Sequence, residues 1–276
     1  LPSIVEAGGT FVEPNPNLKP ERNSSWEIGA NLIKDGVLTD SDSGMLKFGY
    51  FNWDVKDYIA RQTGATNGVL SLKLDNINRA KFSGLELSGR YEVGGFTAEA
   101  NANYYLGVDF CLTADNCANA SLYSDYATNQ VPPEYSIDLT LSQKMFDDRF
   151  TLGGRVLHVG PRAAGHGAIT ATGMMQFISV VSWEPHTLVD VFAEYKINDN
   201  MTAAFRIENL TDQYYIDPLS LVRQPGPGRT FYASLTSDFG GGQSIPHFSQ
   251  PFSRNVNGTD KIDWTGAYAG FHLGSS

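Results

Sequence analysis

Over most of this chain, apolar and polar side chains alternate with a period of two, in runs of about ten residues. In 96–106 one face is Phe96, Ala98, Ala100, Ala102, Tyr104 and Leu106, and the other is Thr97, Glu99, Asn101, Asn103 and Tyr105. In 134–146 Tyr135, Ile137, Leu139 and Leu141 alternate with Ser136, Asp138, Thr140 and Ser142. The stretches 82–92, 201–208 and 229–239 repeat the pattern, and 24–33, 45–56, 150–159 and 187–196 carry weaker versions. A helix would space its apolar residues three or four apart, so these runs predict strands. Their length is about twice the five or six residues of a soluble strand and suits a tilted strand crossing a bilayer.

Nine main strands follow: 24–34, 45–56, 81–92, 96–106, 134–146, 150–159, 187–197, 201–211 and 229–239, with 71–79 extending a strand at its loop end. The links between them alternate in length. Gly94-Gly95, Asp147-Asp148-Arg149 and Asn198-Asp199-Asn200 are tight turns and 35–43 is short, whereas 57–80, 107–132, 160–186 and 212–228 are long. A sandwich has no reason to place its long loops at one end. Outer-membrane barrels do, with short periplasmic turns and longer extracellular loops. The strand ending at Phe239 then runs inward, and 107–132 lies on the cell surface. A single-chain bacterial barrel pairs an even number of strands. Nine predicts that further strands belong to the same barrel, and the opening at Leu1, without Met or a leader, predicts an N-terminal part elsewhere.

Composition narrows the function. The net charge is −10, which leaves no basic face for nucleic acid. A mean hydropathy of −0.24 is compatible with a barrel, because lipid meets only every second side chain. No run reaches the 18 or so apolar residues of a spanning helix. Cys111 and Cys117 are too few for a stapled scaffold. Their spacing in a polar stretch suits a small loop clasp in an oxidising compartment, with two buried free thiols as the other reading. No Ser/His/Asp set, catalytic carboxylate pair or metal cluster stands out, so the chain reads as a non-enzyme.

Four stretches carry a family resemblance. Asn15-Pro16-Asn17-Leu18-Lys19-Pro20-Glu21, followed by Ser25-Trp26-Glu27-Ile28-Gly29, resembles the N-P-N-L-K-P-E box of TonB-dependent outer-membrane receptors. Asn76-Ile77-Asn78-Arg79-Ala80 with Gly84-Leu85-Glu86-Leu87 resembles their "N-x-x-x-A-x-x-x-G-x-E" passage. Asn209-Leu210-Thr211-Asp212-Gln213-Tyr214-Tyr215, then Pro227-Gly228-Arg229 and a strand closing on Phe239, resembles their "N-L-T-D-x-x-Y … P-G-R" ending, where the terminal aromatic is the assembly signal. The resemblance covers roughly 13–239. It implies an all-β chain forming the C-terminal part of a 22-strand transmembrane barrel, in the bacterial outer membrane. The family's N-terminal plug and the box that engages the TonB complex are not in this sequence. The quoted residues read mainly as structural: Asn209 and Asp212 suit a strand end and turn, and Glu21 or Glu27 suits a pairing inside the lumen.

Tyr215-Ile216-Asp217-Pro218-Leu219-Ser220 and Pro225-Gly226-Pro227 look most like receptors for haem, haemoglobin or a haem carrier protein. The transported ligand is then haem, with a ferric siderophore chelate or passive porin permeation as the alternatives, and no intrinsic cofactor is implied. Neutral imidazole is a common axial ligand of haem iron. His166, in Gly165-His166-Gly167, is the most accessible candidate; His158 and His186 flank the same loop, and Met174-Met175 lies within it. Each has a plainer reading as a solvated, strand-end or packing residue. The family's loop ligand lies just upstream of the N-P-N-L box, and 1–14 hold no histidine.

After Phe239 the family pattern should stop. Gly240-Gly241-Gly242-Gln243-Ser244 opens a linker over 240–263 instead. Trp264-Thr265-Gly266-Ala267-Tyr268-Ala269-Gly270-Phe271 resembles the opening strand of small outer-membrane barrels, so 264–276 reads as the start of a second one, with an extra strand or periplasmic tail as the alternative.

Overall fold

A computed structural model of the chain describes residues 12–13, 15–66, 69–111, 113–115, 117, 131–163, 184–217, 225–238, 268–269 and 272–273. The described residues are all strand, turn and loop. The strands in chain order are β1 (Val12–Glu13), β2 (Arg22–Asp35), β3 (Ser43–Lys56), β4 (Ile59–Thr66), β5 (Val69–Asn76), β6 (Arg79–Val93) and β7 (Phe96–Cys111). They continue with β8 (Tyr135–Met145), β9 (Phe150–Val159), β10 (His186–Asn198), β11 (Met201–Glu208), β12 (Thr230–Asp238), β13 (Tyr268–Ala269) and β14 (His272–Leu273). An eleven-stranded antiparallel sheet runs β13-β12-β11-β10-β9-β8-β7-β6-β3-β2, with β14 also on β12, and it does not close on itself. An open wall of long antiparallel strands is what part of a barrel looks like. All nine main strands stand where the alternation places them.

Register separates two faces. Ile28, Tyr50, Leu85 and Tyr104 are partners in one row, and Ala30, Phe48, Leu87, Ala102 and Ile137 in the next. Leu139, Val156 and Val189, then Ala193 and Phe205, continue this face across the wall. It carries the exposed large apolar side chains, among them Ile28, Phe48, Leu87, Ile137, Leu139 and Phe205. Such a band is stable only against lipid. The opposite face carries Glu86, Arg90, Glu99, Asn101, Asp138, Arg155, Asp190 and Arg206, as a barrel interior does.

The stretch 57–80 departs from the expected loop. β3 and β6 run on as β4 and β5 without a slip: Lys56 faces Arg79, Asp57 N donates to Asn78 O (3.2 Å), Ile77 N donates to Tyr58 O (2.8 Å), and pairing resumes from Ile59↔Asn76 to Thr66↔Val69. The residues between the last pair are Asn67-Gly68, the dipeptide that most favours a two-residue hairpin turn. The segment 71–79 therefore belongs mostly to this hairpin, on which β1 lies in parallel to form a separate three-stranded sheet. β7 also runs five residues past its expected end. Ser83 pairs Gly107 and Gly84 pairs Tyr105, which leaves Leu106 as an extra, bulged residue. β11 stops at Glu208 instead of 211, because Asn209 and Asp212 turn the chain at φ of 50° and 55°.

The short turns are locally held. Asp42 accepts hydrogen bonds from Val37 N (2.5 Å), Leu38 N (2.8 Å), Thr39 N (2.8 Å) and the Tyr91 hydroxyl (2.7 Å). Burial raises the Asp42 pKa, but the Tyr91 hydroxyl and the three backbone N–H groups outweigh it and hold the carboxyl at about 2. In the tail, Tyr268–Ala269 and His272–Leu273 pair antiparallel with β12. Phe239 and the linker over 240–263 lie outside the described residues.

Candidate functional site

At the long-loop end the family motifs become two hydrogen-bonded knots. Asn15 Nδ2 donates to Leu74 O (2.9 Å) and Asp75 Oδ1 (3.2 Å). Its own Oδ1 accepts from Asn17 N (3.2 Å), and its carbonyl from Leu18 N (3.2 Å). Asn76 binds Lys19 reciprocally: Lys19 N donates to Asn76 Oδ1 (2.7 Å), and Asn76 Nδ2 donates to Lys19 O (2.9 Å) and Asp57 O (2.6 Å). Glu21 Oε1 accepts from Ile59 N (2.8 Å), while Glu27 accepts from the Trp53 indole (3.2 Å) on the inner face. The proline-stiffened box is thus strapped to the β4–β5 hairpin. Gly84 is required beside it, since a Cβ there would stand 2.6 Å from both the Phe51 ring and Tyr104 O.

The second knot centres on Asn209, which is 3% exposed. Its N–H donates to Asp190 Oδ1 (2.9 Å), its Nδ2 to Gln213 O (2.9 Å) and Pro227 O (3.1 Å), and its Oδ1 accepts from Gln213 N (2.8 Å). Asp212 Oδ1 accepts from Arg229 N (2.8 Å), and a Cβ on Gly228 would come within 2.9 Å of that oxygen. Leu210 N donates to Val189 O (2.7 Å). Asp190 joins the knot to the inner wall, where Arg155 bridges it (3.8 Å) to Asp138 (Nε to Oδ2, 2.7 Å). Ion pairs continue along that wall: Arg90 binds Glu92 and Glu99, and Arg206 binds Glu208 (2.9 Å) and lies over the Tyr232 ring at 4.9 Å.

This knot carries an aromatic pair. His186, 7% exposed, is on the inner face with Leu188 and Asp190 and stacks on Tyr215 at 4.9 Å. The Tyr215 ring leaves no room for a side chain at Gly226, whose N–H donates to Tyr215 O (2.8 Å). Burial, with the carboxylates of Asp217, Glu208 and Asp190, pushes the Tyr215 hydroxyl above its ordinary pKa. His158 is placed elsewhere. It shares the outer face with Val156, stacks on Tyr135 (5.7 Å) and bonds Thr187 Oγ1 through Nδ1 (2.8 Å); Tyr135 stacks in turn on Tyr104 (6.4 Å). That row lies on the lipid side, where barrels carry interfacial aromatic girdles, and not on the inner face with His186. His166, Met174 and Met175 lie outside the described residues. Sequence reading did not single out Tyr215 as a partner of His186, or Asn76 as a partner of Lys19.

A disulfide joins Cys111 and Cys117 beside an apolar cluster of Ala60, Ile77, Ala80, Val108, Phe110, Val131 and Ala163, against which Tyr58, Phe82 and Tyr105 pack. Among the described residues no group of His, Cys, Asp and Glu forms a metal site.

Residues 1–210 match the family model described as "TonB dependent receptor-like, beta-barrel". A hemophilin receptor of Acinetobacter baumannii is 25% identical over 270 residues, which cover 87% of this chain and 25% of that protein. A heme/hemopexin utilization protein C of Haemophilus influenzae is 28% identical over 242 residues, covering 82% of this chain and 30% of that protein. The chain therefore spans about a quarter to a third of these relatives. Among solved structures, the copper transporter OprC superposes with a TM-score of 0.60 at 18% identity, over 79% of this chain and 31% of the other. The Serratia marcescens hemophore receptor HasR, in a double-mutant form complexed with its hemophore HasA and heme, gives 0.53 at 23% identity, with the same coverages.

Proposed function

Given that the chain belongs to the TonB-dependent receptor β-barrel family of the bacterial outer membrane, we propose that it is the C-terminal wall of a receptor for active haem uptake. The observation that carries haem is the pair of sequence relatives named for hemophilin and for heme/hemopexin, each matched over more than four-fifths of this chain. Haem, free or on a carrier protein, is then the transported ligand, the TonB complex supplies the energy, and no enzymatic step is assigned.

The inner rim fits the reading. His186 and Tyr215 form a preassembled aromatic pair at the long-loop end, with His186 on the same face as the ion-paired polar wall. A planar porphyrin edge can stack there. His166, Met174 and Met175 belong to the loop between β9 and β10 and complete the proposed contact set.

Titration of the full-length receptor with haem tests this. A shifted Soret band and growth on haem as sole iron source are expected, with His186→Ala weakening binding. An unshifted Soret position in His166→Ala would remove His166 as a ligand while leaving haem in place. An unchanged Soret band in the wild type, together with growth on a ferric siderophore, would replace haem with the siderophore reading; neighbours such as the siderophore receptor PirA share the fold.

A further inference from the structure

The outer face of β2, β3 and β6 changes character toward the long-loop end. The apolar band ends at the paired rings of Trp26 and Tyr50, 5.2 Å apart. Beyond it Arg22 stands directly opposite Lys56, and Lys56 directly opposite Arg79, three cations in one row across three strands. Lys81 lies next along β6, on the same face as Leu85 and Leu87. The unbroken register from Ile28↔Tyr50 and Tyr50↔Leu85 fixes all four on the lipid side.

Like charges directly opposite on neighbouring strands destabilise a sheet. Two carboxylates share the patch: Asp54 holds Arg79 at 3.0 Å, and Asp109 is the register partner of Lys81. Four cations against two carboxylates leave a local positive excess in a chain of net charge −10. Arg22, Lys56 and Lys81 are exposed. Arg22 lies four residues past Trp26 and Lys56 six past Tyr50, which at the rise and tilt of a barrel strand is about 10–15 Å above the girdle. That height is above the acyl chains, where outer-leaflet headgroups stand.

We propose that Arg22, Lys56 and Lys81, with Arg79 behind them, bind the phosphates of an acylated, phosphorylated glycolipid of the outer leaflet. An anion seated over the row removes the repulsion and fixes a lipid against the Trp26–Tyr50 pair. The proposal rests on the barrel's placement in the membrane and is independent of the ligand transported.

The test uses the full-length receptor in phosphatidylcholine nanodiscs, with a bis-phosphorylated, acylated diglucosamine lipid as the probe and native mass spectrometry as the readout. The triple variant R22Q/K56Q/K81Q should bind the probe about 100-fold more weakly. R22K/K56R/K81R and the inner-face variant K47Q should bind like the wild type, and the dephosphorylated lipid no better than the Gln triple. Equal binding by the Gln triple, equal binding of the dephosphorylated lipid, or a loss in K47Q as large as in the triple would overturn the proposal. So would displacement of the probe by inorganic phosphate at matching concentration, which would mark a site for any free anion.

Discussion

The two ends of this wall satisfy their backbone groups by different means. At the short-turn end the turns are held mainly from within: Asp42 caps the N–H groups of residues three to five before it, with the Tyr91 hydroxyl added from β6, and Gly94, Gly95, Asp147 and Asp148 adopt positive φ within the turns themselves. At the long-loop end the bonds join distant residues, Asn15 to Asp75, Lys19 to Asn76, and Asn209 to Asp190 and Pro227. Local turns need only the right residue at the right place. The outer end must instead hold long segments in a fixed relation to one another, and it does so with single asparagines that donate and accept at once. Damage there should therefore spread further than damage at the turns.

Asn209→Ala is the strongest way to break this contrast. It removes two side-chain donors and an acceptor from a buried knot and places Ala at φ 50°, for a loss of about 3–4 kcal/mol. The thermal transition of the full receptor in micelles should fall, and the His186–Tyr215 stack should loosen with it. If Asn209→Ala melts like the wild type, the knot is not what holds the outer end. Asn76→Ala comes next. Three lost hydrogen bonds at a partly exposed site cost about 2 kcal/mol, and hydrogen exchange should quicken across 15–21 and 57–59 while β8–β10 stay protected.

At the turn end, Gly94→Ala, at φ 52° with open space around its Cβ, should cost about 1 kcal/mol and leave the loops untouched. A larger effect than that of Asn76→Ala would invert the comparison. The smallest effect expected near neutral pH is that of acid on the 36–42 turn. Its Asp42 pKa is lowered to about 2, so the stabilisation is fully present above the unfolded value of 3.8 and is lost as the pH falls through about 2. Amide exchange of Val37, Leu38 and Thr39, corrected for its intrinsic pH dependence, should be flat from pH 7 to about 5 and lose protection only below about pH 3. Lost protection near pH 5 would refute the capping role.

The strands, the two faces and the short turns were legible in the sequence, because period two and turn chemistry act over a few residues. Phe150–Val159 is read to the residue, and the family motifs stood out in order. The hairpin over 59–76 was only half legible: Leu70, Leu72 and Leu74 alternate with Ser71, Lys73 and Asp75 after Asn67-Gly68, but 59–66 lacks that alternation, so the stretch 57–80 read as a long loop. What the motif residues bind was not legible. Asn15 meets Asp75, and Asn209 meets Pro227, only because pairing of β1 with β5 and of β11 with β12 brings those segments together. The histidines divide in the same way. Alternation fixes which residues share a face with His158 or His186, yet β9 and β10 have apolar residues on both faces near the rim. Only pairing with β8 and the turn over 209–215 places His158 toward lipid and His186 under Tyr215. Local periodicity thus determined that this chain is a membrane-spanning β wall. Long-range register decided which of its residues face lipid, lumen and one another, because neighbouring strands, and not the sequence around a residue, set what lies opposite it.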